Sequence, residues 1–180
     1  MKQNYNALIL KSVKITAGAI LAILFASCLN LKYSATAGII TILSIQNTKK
    51  ETIQTALARG EAFCCALLVS FLCYNFFDYT TAAFGIYLLI FTTLCLIMKW
   101  SSAIAMDSVL ITHFLAEKTM NISMITNEIS LFLIGAGIGV LLNLSLRPKE
   151  NEWKDKIAKA DESIRAIIQR MAERIRTLDR

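Results

Sequence analysis

A chain of 180 residues that is 56% hydrophobic, with mean hydropathy +0.55, is too apolar for an ordinary soluble domain. Its net charge of +6 sits on connections and in the tail, with no aromatic and basic residues interleaved along a recognition face, so no nucleic-acid partner is expected. The five cysteines are odd in number and lack the spacing of a disulfide framework or a zinc site, so they read as small packing residues and no metal is expected.

Residues 1–14 form a basic N-terminal segment. Six hydrophobic blocks follow, at Ile15–Leu29, Tyr33–Ile45, Ala62–Tyr74, Thr80–Met98, Ser101–Leu115 and Ile129–Leu146. The first ends in Phe25-Ala26-Ser27-Cys28, which imitates a lipoprotein cleavage site. The five further blocks, and Phe25 three places before the cysteine, argue instead for an uncleaved first helix. The second, third and fifth blocks fall short of the ~20 residues that a span needs. Either their helices run past the apolar stretch or some are half-helices that never cross. The good helix formers from Lys49 to Arg59 favour the first, with the second and third helices projecting as a hairpin.

Threading the blocks back and forth places Lys2, Lys11, Lys14, Lys49, Lys50, Arg59, Lys99, Arg147 and Lys149 on one side and only Lys32 and Lys118 on the other. Basic residues near short loops stay cytoplasmic, so both ends are expected inside. The expected fold is therefore an all-α membrane protein: a six-helix transmembrane bundle over 15–147, then a cytoplasmic helix over 148–180. Pro148 comes just after the last block, where a proline stops a helix without harm inside the membrane. Beyond it, Ile157, Ile164, Met171 and Leu178 repeat on a heptad with Ile168 and Ile175 interleaved, one apolar stripe broken by Asp161. That stripe suits packing on the protein's own surface, a coiled coil between protomers, or a lipid surface.

Ionisable residues inside membrane segments are costly and are functional candidates by default. Arg59 and Glu61 open the third block, Asp107 falls in the middle of the fifth, His113 near its outer end, and Glu128 at the entry to the sixth. Together with Asn143 they make up a candidate substrate pathway. Arg59 and Glu61 are two apart and point to different sides. His113 and Glu128 share the outer level on consecutive antiparallel helices and are placed to meet, a suitable proton relay because histidine titrates near neutral pH. A structural reading stands beside each: Glu128 as a helix-start residue, His113 as an interfacial side chain, Arg59 as a topology anchor. Gly135, Gly137 and Gly139 include a Gly-xxx-Gly spacing that lets a neighbouring helix approach within the protomer. Tyr74, Phe76, Phe77 and Tyr79 read as an outer aromatic belt and Trp100 as an inner one. The sequence has no phosphate loop, no paired histidines and no serine with a placed base, so neither enzyme activity nor a cofactor is expected.

Three stretches carry a family resemblance. Ala35 to Ile42, then Gln46-Asn47-Thr48 and Ala56-Leu57-Ala58-Arg59-Gly60, are followed by Thr112-His113-Phe114-Leu115. Asn127-Glu128, the glycines of the sixth block, Asn143-Leu144 and Pro148 close the set. In order and spacing these resemble the membrane half of the aromatic acid exporter family, within a superfamily that includes the fusaric-acid-resistance proteins and the plant aluminium-activated malate transporters. Asn47 stands where the family's pattern has proline. The resemblance implies an exporter or permeation pathway for small organic anions, with aromatic carboxylates foremost, in a bacterial inner membrane. By the same resemblance to the malate channels, it implies a two-fold assembly. It also implies a larger cytoplasmic half after residue 150, where this chain ends at Arg180, as a truncated form or a short member would. The alternative is a membrane scaffold that assembles partners through its cytoplasmic helix.

Overall fold

The computed structural model describes residues 5–45, 49–145 and 150–178, which hold seven helices and no strand. The chain divides into two compact units, Met1–Leu146 and Arg147–Arg180. The first contains α1 (Tyr5–Cys28), α2 (Ala35–Leu43), α3 (Lys49–Phe77), α4 (Thr81–Ile97), α5 (Ile104–Glu117) and α6 (Ile122–Ser145); the second contains α7 (Glu150–Leu178).

Helix ends in this chain are set by residues other than glycine. Asn30, Lys99 and Lys118 adopt left-handed φ of 54°, 62° and 50° just past α1, α4 and α5. In each case the next amide returns to the helix: Leu31 N to Ala26 O, Trp100 N to Cys95 O, Thr119 N to Phe114 O. This satisfies carbonyls that the helix end leaves open. At the opposite ends, Thr80 Oγ1 accepts from Ala83 N and Asn121 Oδ1 accepts from Met124 N, side-chain caps that start α4 and α6.

The packing is that of a membrane protein. Small residues line the interior: Ala22, Ala26, Ala37, Ala62, Ala66, Ala83 and Ala103 are all fully buried. Large apolar side chains such as Leu24, Leu68, Leu72, Leu89, Leu96 and Leu133 face outward. In water that arrangement would waste the hydrophobic effect; in lipid it lets backbones approach closely. Three helical stretches, Ile9–Cys28, Thr52–Phe77 and Ile122–Leu144, are long and apolar enough to cross a bilayer. A shorter apolar helix occupies Thr81–Ile97.

Two apolar clusters divide the interior. Tyr87, Phe91 and Cys95 of α4 pack with Ala62, Ala66 and Tyr74 of α3 and Ile111 and Phe114 of α5. Ala22 and Ala26 of α1, Ala37 and Ile40 of α2, and Leu131, Phe132 and Ala136 of α6 form the other with Phe63, Met106 and Leu110. Glycines seat α2 against its neighbours. A Cβ on Gly38 would meet Ile23 Cγ1 at 2.7 Å and Ala19 O at 3.1 Å in α1. On Gly135 and Gly139 of α6 it would meet Ala37 O at 2.6 Å and Ser44 Cβ at 2.5 Å. The Gly-xxx-Gly pair therefore packs within the protomer, and Gly137 points into open space.

Several expectations need correction. The second block does not lengthen into a hairpin: α2 has nine residues, and Ser44 N returns to Ile40 O to close it. At about 1.5 Å per residue it rises only about 13 Å. α3 does extend beyond its block, back to Lys49, and α6 begins at Ile122, before the expected Ile129. Asp107 lies in the first turn of α5, not its middle. Tyr74 is no belt residue: it is buried, stacks on Tyr79 at 4.9 Å, and its hydroxyl donates to Ile111 O at 3.5 Å. Gln46-Asn47-Thr48 and Pro148 lie outside the described residues.

In α7 the stripe residues Ile157, Ile164, Ile168 and Met171 are exposed, and Arg165 Nε pairs with Asp161 Oδ2 at 3.3 Å one turn back. The side chains of Ile175 and Leu178 lie outside the described part.

Candidate functional site

The ionisable residues inside the first unit gather in two places, and α2 reaches both. Its buried face carries Thr36, Ala37, Gly38, Ile40 and Thr41, continued by Ser44, so a small polar stripe runs down a helix that is otherwise apolar.

At the lower end of that stripe is Arg59 of α3, only 5% exposed. Its Nε donates to Ser102 O at 3.2 Å and its Nη1 to Ser44 Oγ at 3.4 Å. A guanidinium has five N–H donors in a planar fork. Here two of its nitrogens hold neutral acceptors, and no carboxylate pairs with it among the described residues. Asp107 lies near enough for its charge to act on Arg59, but without contact. Asn143 of α6 donates to the Thr52 hydroxyl of α3, joining those two helices on the same side of the molecule. Glu61, two residues after Arg59, is exposed and belongs to neither cluster.

At the other end His113 and Glu128 meet. Glu128 is fully buried, and its Oε2 lies 2.7 Å from His113 Nδ1. On the other side of the ring, Nε2 lies 3.4 Å from the Thr36 hydroxyl. The other oxygen of Glu128 accepts from Asn127 Nδ2 at 3.0 Å. That same amide clasps the backbone of the turn between α1 and α2: Lys32 N donates to Asn127 Oδ1 at 2.8 Å, and Asn127 Nδ2 donates to Lys32 O at 3.1 Å. Tyr33, at φ 59°, lays its ring on the His113 imidazole with centroids 4.1 Å apart.

Outside this pair the turn is tied to α5. Lys32 Nζ bonds Glu117 Oε2 at 2.8 Å, and the Tyr33 hydroxyl donates to Glu117 Oε1 at 3.2 Å. The Glu117 carboxylate raises the Lys32 pKa above its ordinary value, through the hydrogen bond first. A raised lysine pKa favours the folded state below the ordinary value and ceases to do so as pH climbs through the folded one. A polar cavity of about 480 Å³ opens beside these residues, lined by Lys32, Glu117, Asn121, Asn127 and Ser130 among others. A second cavity of about 490 Å³, between Phe25 and the Leu133–Leu141 face of α6, is apolar. Neither is lined by Arg59, Asp107 or His113.

The sequence marked the charged members but missed their neutral partners. Thr36, Ser44, Thr52 and the Ser102 carbonyl complete the clusters, and Tyr33 supplies the stacking face. The small polar residues at 36, 41 and 44 were a usable signal, since hydroxyls on one face of an apolar helix imply acceptors within a bundle.

The chain has been compared with known proteins. The family profile described as "Aromatic acid exporter family member 1" matches residues 7–146. A relative from Bacillus subtilis (strain 168), "Uncharacterized protein YqjA", is 35% identical over 150 residues, 82% of this chain and 47% of the relative. The chain thus spans about half the length of that curated relative. No solved structure matches. A profile that covers all six helices of the first unit, in a protein packed for lipid, settles the family: the chain belongs to the aromatic acid exporter family, a family of membrane transport proteins.

Proposed function

We propose that the protein carries small organic anions, aromatic carboxylates foremost, across the bacterial cytoplasmic membrane, with Arg59 as the anion-recognising residue. The observation that carries this is a buried guanidinium held, among the described residues, by neutral groups alone, where α2, α3 and α5 meet. Burial without a counter-charge is costly for any ion, and a planar fork fits a carboxylate. With the amino-terminal segment cytoplasmic, Arg59 belongs to the cytoplasmic half and the His113–Glu128 pair to the outer half. The turn at Lys32–Tyr33, clasped by Asn127 and Glu117, is then the outer closure of the pathway. Arg59 is shielded as well, so this is a conformation closed at both ends. An anion gains the guanidinium only when the ends of α2 and α5 part.

Flux of benzoate into or out of vesicles, measured beside folded yield, tests the role of Arg59. A partly desolvated cation favours a carboxylate by about 1 to 3 kcal/mol, so Arg59→Gln should lose roughly ten- to hundredfold in anion affinity while still inserting. Arg59→Lys should keep part of the function, because the charge survives and the fork does not. Unchanged flux in properly inserted Arg59→Gln would remove Arg59 from the mechanism.

The assembly we favour is a homodimer. Six helices, two of them short, make a thin bundle, and the exposed stripe of α7 offers a further contact. Mass measurement in nanodiscs decides this, and a monomer that still transports would refute it.

A further inference from the structure

Asp107 is fully buried in the first turn of α5, and neither carboxylate oxygen has a hydrogen-bond partner. Among the described residues two other buried oxygens share that condition, the Tyr87 phenol and the Ser108 hydroxyl. The three belong together: Tyr87 is within electrostatic reach of Asp107 and beside Ser108. Tyr87 stacks on Phe84 and Phe91, with centroids 5.6 and 5.4 Å away, which holds its ring in place.

A bare carboxylate here would be a buried charge to which no hydrogen bond is made, whereas the protonated acid is neutral and has an O–H to give the neighbouring hydroxyls. The groups that face Asp107 are few. From α3 it is Arg59, whose charge acts on it without contact; from α4 they are Tyr87 and Cys95; α2 has no ionisable side chain, and the Ser44 hydroxyl at its end bonds Arg59. Among the described residues Arg59 thus has one carboxylate neighbour, close enough to weaken its pull on an anion and too far away to occupy its fork.

We propose that Asp107, with Tyr87 and Ser108 around it, is a proton-binding site that sets the anion affinity of Arg59. This deepens the reading of Arg59 as the anion site and rests on it. With Asp107 ionised, Arg59 and Asp107 together are neutral and an anion gains little. Once a proton from water sits on the Asp107 carboxylate, the positive charge of Arg59 is uncompensated and an anion is held. Proton and anion then favour each other's binding by the same factor, as linkage requires. A pathway built this way strengthens as the solution it faces turns acidic. A weak acid that crosses the membrane neutral and ionises inside creates that condition.

The test is calorimetric titration of the full chain in nanodiscs with benzoate, at about pH 6 and about pH 9, where benzoate is ionised throughout. Each titration is run in two buffers of different ionisation heat, which counts protons taken up. Wild type is expected to bind at least tenfold more tightly at the lower pH and to take up a proton on binding at the higher one. Asp107→Asn should bind equally at both, near the low-pH wild-type affinity, with no proton uptake. His113→Gln should keep the wild-type pH dependence, which separates this site from the His113–Glu128 pair. Benzoate binding that Arg59→Gln abolishes, but that is independent of pH and of protons in wild type, overturns the proposal and leaves the Arg59 reading standing. So does a pH dependence that survives in Asp107→Asn. No benzoate binding by wild type at either pH removes both. The wild-type proton count decides even if the Asp107 variant fails to fold.

Discussion

Glu128 shows what a buried carboxylate needs to remain in a helix bundle. One oxygen is held by His113 and the other by Asn127, so both have partners although none of the residue is exposed. Replacing it with leucine would leave the buried His113 Nδ1 without its partner, while Asn127 keeps its two bonds to Lys32. That should cost about 2 to 5 kcal/mol and lower the thermal midpoint in detergent accordingly. Glutamine should be far milder, because its amide still offers an oxygen to one partner and the histidine can change tautomer to suit the other. Equal midpoints for Glu128→Leu and wild type would show that the pair does not hold this end together. The sequence placed His113 and Glu128 at one level from helix direction alone, and their contact was legible to that extent. Asn127 was legible only as part of a family pattern; that its amide also clasps the Lys32 backbone depends on a turn whose left-handed residues, Asn30 and Tyr33, carry no glycine signal.

Among the elements, α2 departs furthest from expectation, and glycine explains how so short a helix is held. Its neighbours α1 and α6 approach through Gly38, Gly135 and Gly139, whose missing side chains let backbones touch. Gly135→Ala would set its Cβ 2.6 Å from both Ala37 O and Ile40 Cβ, and a backbone carbonyl cannot swing aside. The expected cost is about 1 to 3 kcal/mol of overpacking. Gly137→Ala meets nothing within 4 Å and should be neutral or gain about 0.5 to 1 kcal/mol in helix propensity. Folded yield and thermal midpoint of the two variants, side by side, check this; a loss at 137 equal to that at 135 would mean the α2 contact is not what the spacing serves. Periodicity and apolar runs gave the order of the first six helices, but not their lengths. Apolar content tracks contact with lipid, and α2 and the start of α5 are buried in protein instead. Polar or small residues there are answered by neighbours such as Ser44 and Arg59, so hydropathy alone misjudges where those helices stop. Polar Lys49–Arg59 belongs to α3 for the converse reason: helix propensity continues where apolar character ends.

Across the whole molecule, the question is how helices of nine and 14 residues fit a bilayer whose core needs about 20. α2 and α5 present polar ends to each other's surroundings: Ser44 closes α2, Asp107 opens α5, and Arg59 lies between them in the long helix α3. Irregular backbone is tolerated at membrane depth when it is buried in protein, and these ends meet that condition. If the non-helical backbone at 44–45 and 101–103 lets α2 and α5 complete their crossings, the first unit crosses six times with both of its ends cytoplasmic. The basic residues point the same way, with only Lys32 and Lys118 on the turns between α1 and α2 and between α5 and α6. Reporter fusions after Lys32, Lys118 and Pro148 distinguish this from a path in which α2 turns back. Six crossings require extracellular signals at Lys32 and Lys118 and a cytoplasmic one at Pro148. If α2 turns back without crossing, α3 must begin on the outer face. The fusions after Lys118 and Pro148 then exchange their signals while that after Lys32 keeps its own. That exchange would move Arg59 to the outer half and with it the side from which an anion is drawn.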